Sequence, residues 1–384
     1  MNSIIDIIAI ITSFLLIFFS AFLLVHKKGN LLSKKLLAFF LFVNAIFMID
    51  YLIGQHLSDQ YYFKYYYLFY FSEIASFLFG PLLYLYTCSV AYSNFKLKRI
   101  DYLHLIPAIF FAAYFLIHFI FYNGLIVSRI ELTGNAFTQA DRLSRTLFFN
   151  LQVFSYLIFS LVVLKKYRAE IKKYYSSVEK MNLYWLEIIL FGFILMWIID
   201  LASTIIFWMG INLNNFESVL SLLSISTNFI VANILIFWGL KRPEILEGFD
   251  RDIKEKSERH FINDSDKQKL LKQLNEFMET ERIYFKSSLT ISDLAQRSKI
   301  PQRTLSYLIN SSYHPNFFDF INSYRIEEAK KILSDTEKKK LTILEILYEV
   351  GFNSKSVFNT VFKKNTGLTP TDYRKSMLSE SKKA

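Results

Sequence analysis

The stretches TISDLAQRSKIPQRTLSYLIN (290–310) and TILEILYEVGFNSKSVFNTVF (342–362) repeat one pattern at an offset of 52 residues. Each opens on a threonine with an acid three positions later, Thr290 with Asp293 and Thr342 with Glu345. That spacing lets side chain and backbone cap each other at a helix start. A short apolar helix, a turn and a second helix follow. In the first copy Pro301 suits the first turn of the second helix. In the second copy Gly351 supplies the turn, and Asn353 or Ser354 caps the next helix. This is helix-turn-helix spacing, in which the second helix enters a DNA major groove. By period, Leu294, Leu305, Leu308, Ile346, Val350, Phe352, Val357, Phe358 and Phe362 are core.

Between the copies lies NFFDFINSYRIEEAKKILSD (316–335), whose Phe317, Phe320, Ile321, Tyr324 and Ala329 suit a helix bridging two small bundles. After them comes GLTPTDYRK (367–375), where Gly367, Thr369 and Pro370 read as a structural turn. The order of first motif, FxxFINxYRIEEAKxxL helix, second motif and GLTPTDYRK resembles the AraC/XylS transcription regulators. The likeness covers about 265–378 and is most specific at EVGFNSKSVFNTVFKKNTGLTPTDYRK (349–375). It implies an all-α DNA-binding domain whose two recognition helices enter successive major grooves.

Carried over position by position, it exposes Gln302, Arg303, Ser306, Tyr307 and Asn310 in the first recognition helix. In the second it exposes Lys355, Ser356, Asn359, Thr360 and Lys363. Arg, Asn, Gln and Lys suit base edges, while terminal Lys and Ser more often hold phosphates. Two positions depart from the pattern. Tyr307 stands where the family often has Arg, which puts the first helix's readout in doubt. Leu347 stands where a small Ala is usual, which affects helix packing.

Charge divides along the chain. Of the net +11, residues 289–384 hold 16 basic and 10 acidic side chains, while 239–288 hold 11 of each. The C-terminal excess favours a polyanionic partner. Residues 1–238 carry 17 basic and 12 acidic groups, together with nearly all the long apolar runs. Seven stretches there approach the roughly 20 apolar residues that a membrane crossing needs. They are 4–25, 34–53, 66–91, 102–122, 146–164, 183–209 and 216–238.

Their direction follows from the loops. Those after the first, third and fifth spans hold 13 basic residues, against 4 in the alternate loops. The bias places the basic loops and the C-terminus in the cytoplasm and the N-terminus outside. The opening MNSIIDIIAI lacks the basic start of a secretory signal, so the first span is expected to remain. The expected fold is all-α: a seven-span bundle (1–238), a cytoplasmic linker (239–265) and a double helix-turn-helix domain (266–384). The pairing of spans and domain resembles, by architecture rather than motif, membrane-bound family members of the bacterial inner membrane.

Ionisable groups within hydrocarbon are costly and therefore suggestive. Asp6, Asp50, His118 and Glu217 lie near span ends, whereas Glu73 and Asp200 are deeper. Glu73 and Asp200 are candidates to line a pocket for a small-molecule or membrane signal. Asp200 shares a face with Trp197, Ser203 and Thr204, and Ser221, Ser224 and Asn228 make a stripe that interhelical hydrogen bonding also explains. Pro81, after Gly80, predicts a kink in the third span.

The linker 239–265, if flexible, would span roughly 30 Å. DKQKLLKQLNEFMETE (266–281) then puts Leu270, Leu271, Leu274, Phe277 and Met278 on one helical face. That face packs either on the following domain or in a homodimer. Cys88 is the sole cysteine, which excludes an intrachain disulfide and a cysteine-rich metal site. Asp200 in WIIDLAS lacks the GxGD of intramembrane aspartyl proteases, and no HExxH, GxSxG or GxxxxGK[ST] occurs. The reading is therefore not an enzyme, with no metal or cofactor, and with double-stranded DNA and the lipid bilayer as partners. The alternatives are a receptor whose helix-turn-helix region binds a protein, and a membrane enzyme or transporter with a regulatory tail.

Overall fold

A computed structural model describes residues 2–26, 30–56, 66–92, 95–117, 139–178, 183–209, 216–241, 263–313 and 316–380. Nearly all of the expected linker, together with His118, lies outside these residues, as does the Glu217 side chain. The described chain is helical, with one isolated bridge between Tyr175 and Thr290. It divides into two units: Met1–Leu164 with Leu183–Lys254, and Lys165–Asn182 with Glu255–Ala384. The second unit thus takes in the loop after the fifth span, which a division into consecutive segments did not anticipate.

The first unit contains α1 (Asn2–Val25), α2 (Leu31–His56), α3 (Tyr66–Ser76), α4 (Phe79–Ala91), α5 (Arg99–Ile117, opening on a 3₁₀ turn), the apolar part of α6 (Gln139–Ile171), α7 (Tyr184–Trp208) and α8 (Phe216–Lys241). With α3 and α4 counted as one span, seven helices among the described residues are long and apolar enough to cross a membrane. Their buried faces meet around Phe40, Tyr86, Leu157, Leu186, Phe193 and Leu235. Their outward faces are also apolar: Phe14, Phe39, Phe71, Ile109, Leu151, Phe191 and Ile230 are all exposed. So broad an apolar exterior is foreign to water-soluble monomers and suits lipid.

Polar side chains inside the first unit pair across helices, where unmet groups would be costly. Asn44 and Asn228 exchange amide hydrogen bonds, the shorter at 3.0 Å. Ser224 donates to Asp200 at 2.8 Å, and Trp197 donates to the Asn150 carbonyl at 3.2 Å. At the end of α1, Lys34 donates to the His26 carbonyl, a cation meeting the acceptor end of a helix.

The expected kink is present but displaced from Pro81. The third span breaks at Phe77–Leu78, and Pro81 sits in the first turn of α4. Proline has no N–H to donate four residues back to Phe77. The Phe77 carbonyl accepts from Gln152 Nε2 instead, at 3.0 Å.

The second unit contains α9 (Asp264–Glu281), α10 (Ile291–Ser298), α11 (Gln302–Ser312), α12 (Phe317–Ser334), α13 (Ile343–Glu349), α14 (Lys355–Thr366) and α15 (Pro370–Glu380). Leu274 and Met278 of α9 are buried with Leu294, Leu305, Leu308, Phe317, Phe320 and Ile321. The apolar face of α9 is therefore covered within the unit.

Candidate nucleic-acid interface

Local chemistry builds both motifs. Thr290 Oγ1 accepts from the Asp293 amide at 3.1 Å, and Asp293 accepts from the Thr290 amide at 3.0 Å. Thr342 and Glu345 do the same at 3.1 and 2.7 Å. Both expected capping boxes therefore form. Burial pushes the Asp293 carboxyl up, but hydrogen bonds from Thr290 and Lys286 outweigh it and hold the group below the carboxylate range. The Thr342 amide and hydroxyl likewise lower Glu345.

The turns resolve two points. Pro301 is the extended residue before α11 rather than part of its first turn. Ser354, not Asn353, caps α14, its Oγ accepting from the Val357 amide at 3.4 Å. Gly351 turns the chain between α13 and α14 at φ +91°, where a Cβ would stand 2.7 Å from the Phe285 carbonyl oxygen. Gly367 closes α14 at φ +77°, and Thr369 then accepts from the Asp372 amide at 3.2 Å as α15 begins at Pro370.

The helices themselves have one buried and one open side. Leu294, Leu305, Leu308, Ile346, Val350, Phe352, Phe358 and Phe362 are buried, as expected. Val357 is only half-buried, and Val361 takes the inward position. Leu347 is fully buried, so the unusual leucine is accommodated between the helices. On the open side of α11, Arg303, Tyr307 and Asn310 are exposed, and Gln302 and Ser306 are half-buried. On α14, Lys355, Ser356, Thr360 and Lys363 are exposed and Asn359 is half-buried.

The two sets stand at the same offsets along their helices, so each forms one continuous polar stripe. Several members have internal contacts. The Lys267 ammonium lies 5.6 Å from the Tyr307 ring centre, Asn310 reaches Ser306 at 3.5 Å, and Thr360 donates to the Ser356 carbonyl at 2.9 Å. Lys364 is tied to Asp319 of α12 at 3.0 Å, while its neighbour Lys363 points outward. Among the described residues, no cluster of three or more metal-ligating side chains occurs.

Residues 294–376 match the family described as "Helix-turn-helix domain". The C-terminal domain is a helix-turn-helix domain of the AraC type. Over 91 residues the chain is 32% identical to the melibiose operon regulatory protein of Escherichia coli K12, covering 24% of this chain and 29% of that protein. Over 90 residues it is 31% identical to the HTH-type transcriptional activator RhaS of Mannheimia succiniciproducens, covering 23% and 32% respectively. The chain thus spans about a third or less of the length of these relatives. No solved structure matches it.

The AraC-type domain also contains a residue that the sequence reading passed over. Arg325 is 1% exposed, on the inward face of α12 between Ile321 and Ala329. A basic side chain four residues from each of two core positions was a legible sign of a buried hydrogen-bonding centre.

In the first unit, Glu73 forms an ion pair with Arg145. Both line an open cavity of about 510 Å³ with Phe47, Phe149, Ser203 and Trp208. Asp200 is not among its lining residues, so the two carboxylates paired by sequence are not brought together there.

Proposed function

We propose that the chain is a membrane-embedded, one-component transcription regulator. The AraC-type domain reads double-stranded DNA in the cytoplasm while the seven apolar helices hold it at the bacterial inner membrane and sense a signal. The observation that carries this reading is the pair of polar stripes. Two helices, each following a helix that opens on a capping box, present the same five offsets, at 302, 303, 306, 307, 310 and at 355, 356, 359, 360, 363, on the side away from the core. A basic balance in 289–384 supports a polyanionic partner over a protein one.

The signal site we propose is the Glu73–Arg145 cavity, whose aromatic walls and single ion pair suit a small amphiphile. Asp200 enters as a neighbour on the Ser203 and Thr204 face of α7. Glu73→Gln and Asp200→Asn together should abolish signal response in a reporter strain while leaving membrane insertion intact. An unchanged response would remove the cavity from the account.

The regulator itself is tested by presenting the full-length chain, in lipid nanodiscs, with fragmented genomic DNA of its source over a range of salt. Selective recovery of a few sites, lost steeply as salt rises, is the expected result. Unselective binding would favour a protein partner for the helix-turn-helix region. Linker residues 239–265 and a homodimeric arrangement are further parts of the proposal, the latter read out by the symmetry of the recovered sites.

A further inference from the structure

The loop between the fifth and sixth spans is folded into the AraC-type domain. Within the second unit, its residues run along the junction of both motifs. The Ile291 amide, at the start of α10, donates to the Tyr174 carbonyl at 3.0 Å, and the Ser176 amide donates to the Leu289 carbonyl at 3.1 Å. These bonds give the isolated bridge between Tyr175 and Thr290. The Phe318 amide, in the first turn of α12, donates to the Lys172 carbonyl at 3.0 Å, and the Lys172 ammonium lies 5.5 Å from the Phe318 ring centre. Asn353, just ahead of the second recognition helix, donates to Ser177 Oγ at 3.3 Å.

Arg325 holds this junction together. Its Nε donates to the Tyr284 carbonyl at 2.7 Å, and its Nη atoms reach Asn322 Oδ1 at 2.9 Å and the Lys286 carbonyl at 2.8 Å. The same guanidinium reaches the Ser176 carbonyl at 3.3 Å and the Ser176 hydroxyl at 3.2 Å. It also stacks 5.6 Å from the Phe352 ring centre, in the second motif. One loop residue, Ser176, is thus a shared acceptor in a buried network that touches the first motif, the joining helix and the second motif.

We infer that residues 172–177 are a docking element of the DNA-binding domain, and that the membrane helices control DNA binding by seating or withdrawing it. The loop is covalently continuous with α6 on one side and α7 on the other, so a shift of those spans acts on Ser176 without passing through the linker 239–265. Seated, the loop fixes the two recognition helices relative to each other, as a two-groove site requires. Withdrawn, it leaves Arg325 and the start of α10 short of partners, and the two motifs are no longer held in one geometry. The coupling half of this inference rests on the regulator reading; the docking half does not.

The test uses the full-length chain in nanodiscs, in a Cys88→Ala background. Ser177→Cys with Asn353→Cys should form an intrachain disulfide under mild oxidation. A cleavage site placed in 242–262 would show it, because the two pieces stay joined until reduced. In Ser176→Pro, which removes the Ser176 amide donor, hydrogen exchange at the Ile291 and Phe318 amides should rise at least ten-fold. The Asp372 amide of α15 should be unaffected, showing that the domain remains folded. Affinity for sites recovered with the wild-type chain should fall ten-fold or more in Ser176→Pro and stay at wild type in the disulfide-locked form.

No cross-link, or unchanged exchange at Ile291 and Phe318, overturns the docking. Unchanged affinity in Ser176→Pro, with exchange raised, overturns the coupling. A Ser177→Cys/Asn353→Cys chain that cross-links, with neither it nor the wild-type chain selecting any DNA, would instead defeat the regulator reading.

Discussion

Lys363 and Lys364 are adjacent in sequence and separate in duty. Lys364 is engaged by Asp319, whereas Lys363 projects from the polar stripe of α14 near its C-terminal end. Lys363→Ala should weaken binding across all sites and reduce the slope of log affinity against log salt by about one. Asn359→Ala should instead alter preference at one base position, by about 1–3 kcal/mol, in a binding assay across a site library. Indistinguishable profiles for both variants would refute these roles.

Gly351 is a second sharp case. Alanine there must adopt φ +91° and place a methyl against the Phe285 and Tyr284 carbonyls, so Gly351→Ala should cost about 1–3 kcal/mol in chemical denaturation. Asp293 gives a pH dependence. Its folded value is lowered, so its contribution is complete above the ordinary carboxylate range and disappears as pH falls through the folded value. Asp293→Asn should therefore show a shallower loss of stability on acidification than wild type, read from urea midpoints below about pH 5.

Among elements, what was legible depended on how local the cause is. Thr290, Thr342, Gly351 and Gly367 act on backbone within a few residues, and each stands where its sequence pattern put it. The spans were legible because length and hydropathy are properties of a single helix. The break in the third span was displaced because it depends on Gln152, in another helix, satisfying the Phe77 carbonyl. Gln152→Leu should destabilise the bundle by about 1–2 kcal/mol, seen as a lower melting temperature in detergent, while Pro81→Ala should relieve the need for that bond. The burial of Arg325 could be read from its spacing, but its pairing with Ser176 could not. The two residues lie on segments separated by the last two spans and the linker, and nothing in either stretch names the other.

Across the whole molecule, charge and hydropathy agree on one arrangement. The 13-to-4 bias of basic residues between alternate loops is the basis for the proposed direction of the spans, and the C-terminal excess of 16 basic over 10 acidic residues suits the cytoplasmic polyanion that this direction would make available. In a Cys88→Ala background, a membrane-impermeant maleimide should label Gln55→Cys on intact cells and leave Leu97→Cys unlabelled until the membrane is opened. The reverse pattern would place the AraC-type domain away from DNA. What composition could not convey was that Lys165–Asn182 belongs with the C-terminal unit, since a basic loop reads alike whether it is solvated or docked.

The most direct test of the account remains DNA selection by the full-length chain in nanodiscs. The account predicts recovery of a small set of sites protected over two successive major grooves, about one helical turn apart, with affinity falling steeply as salt rises. Equal recovery of all fragments, or protection confined to a single groove and indifferent to sequence, would contradict it.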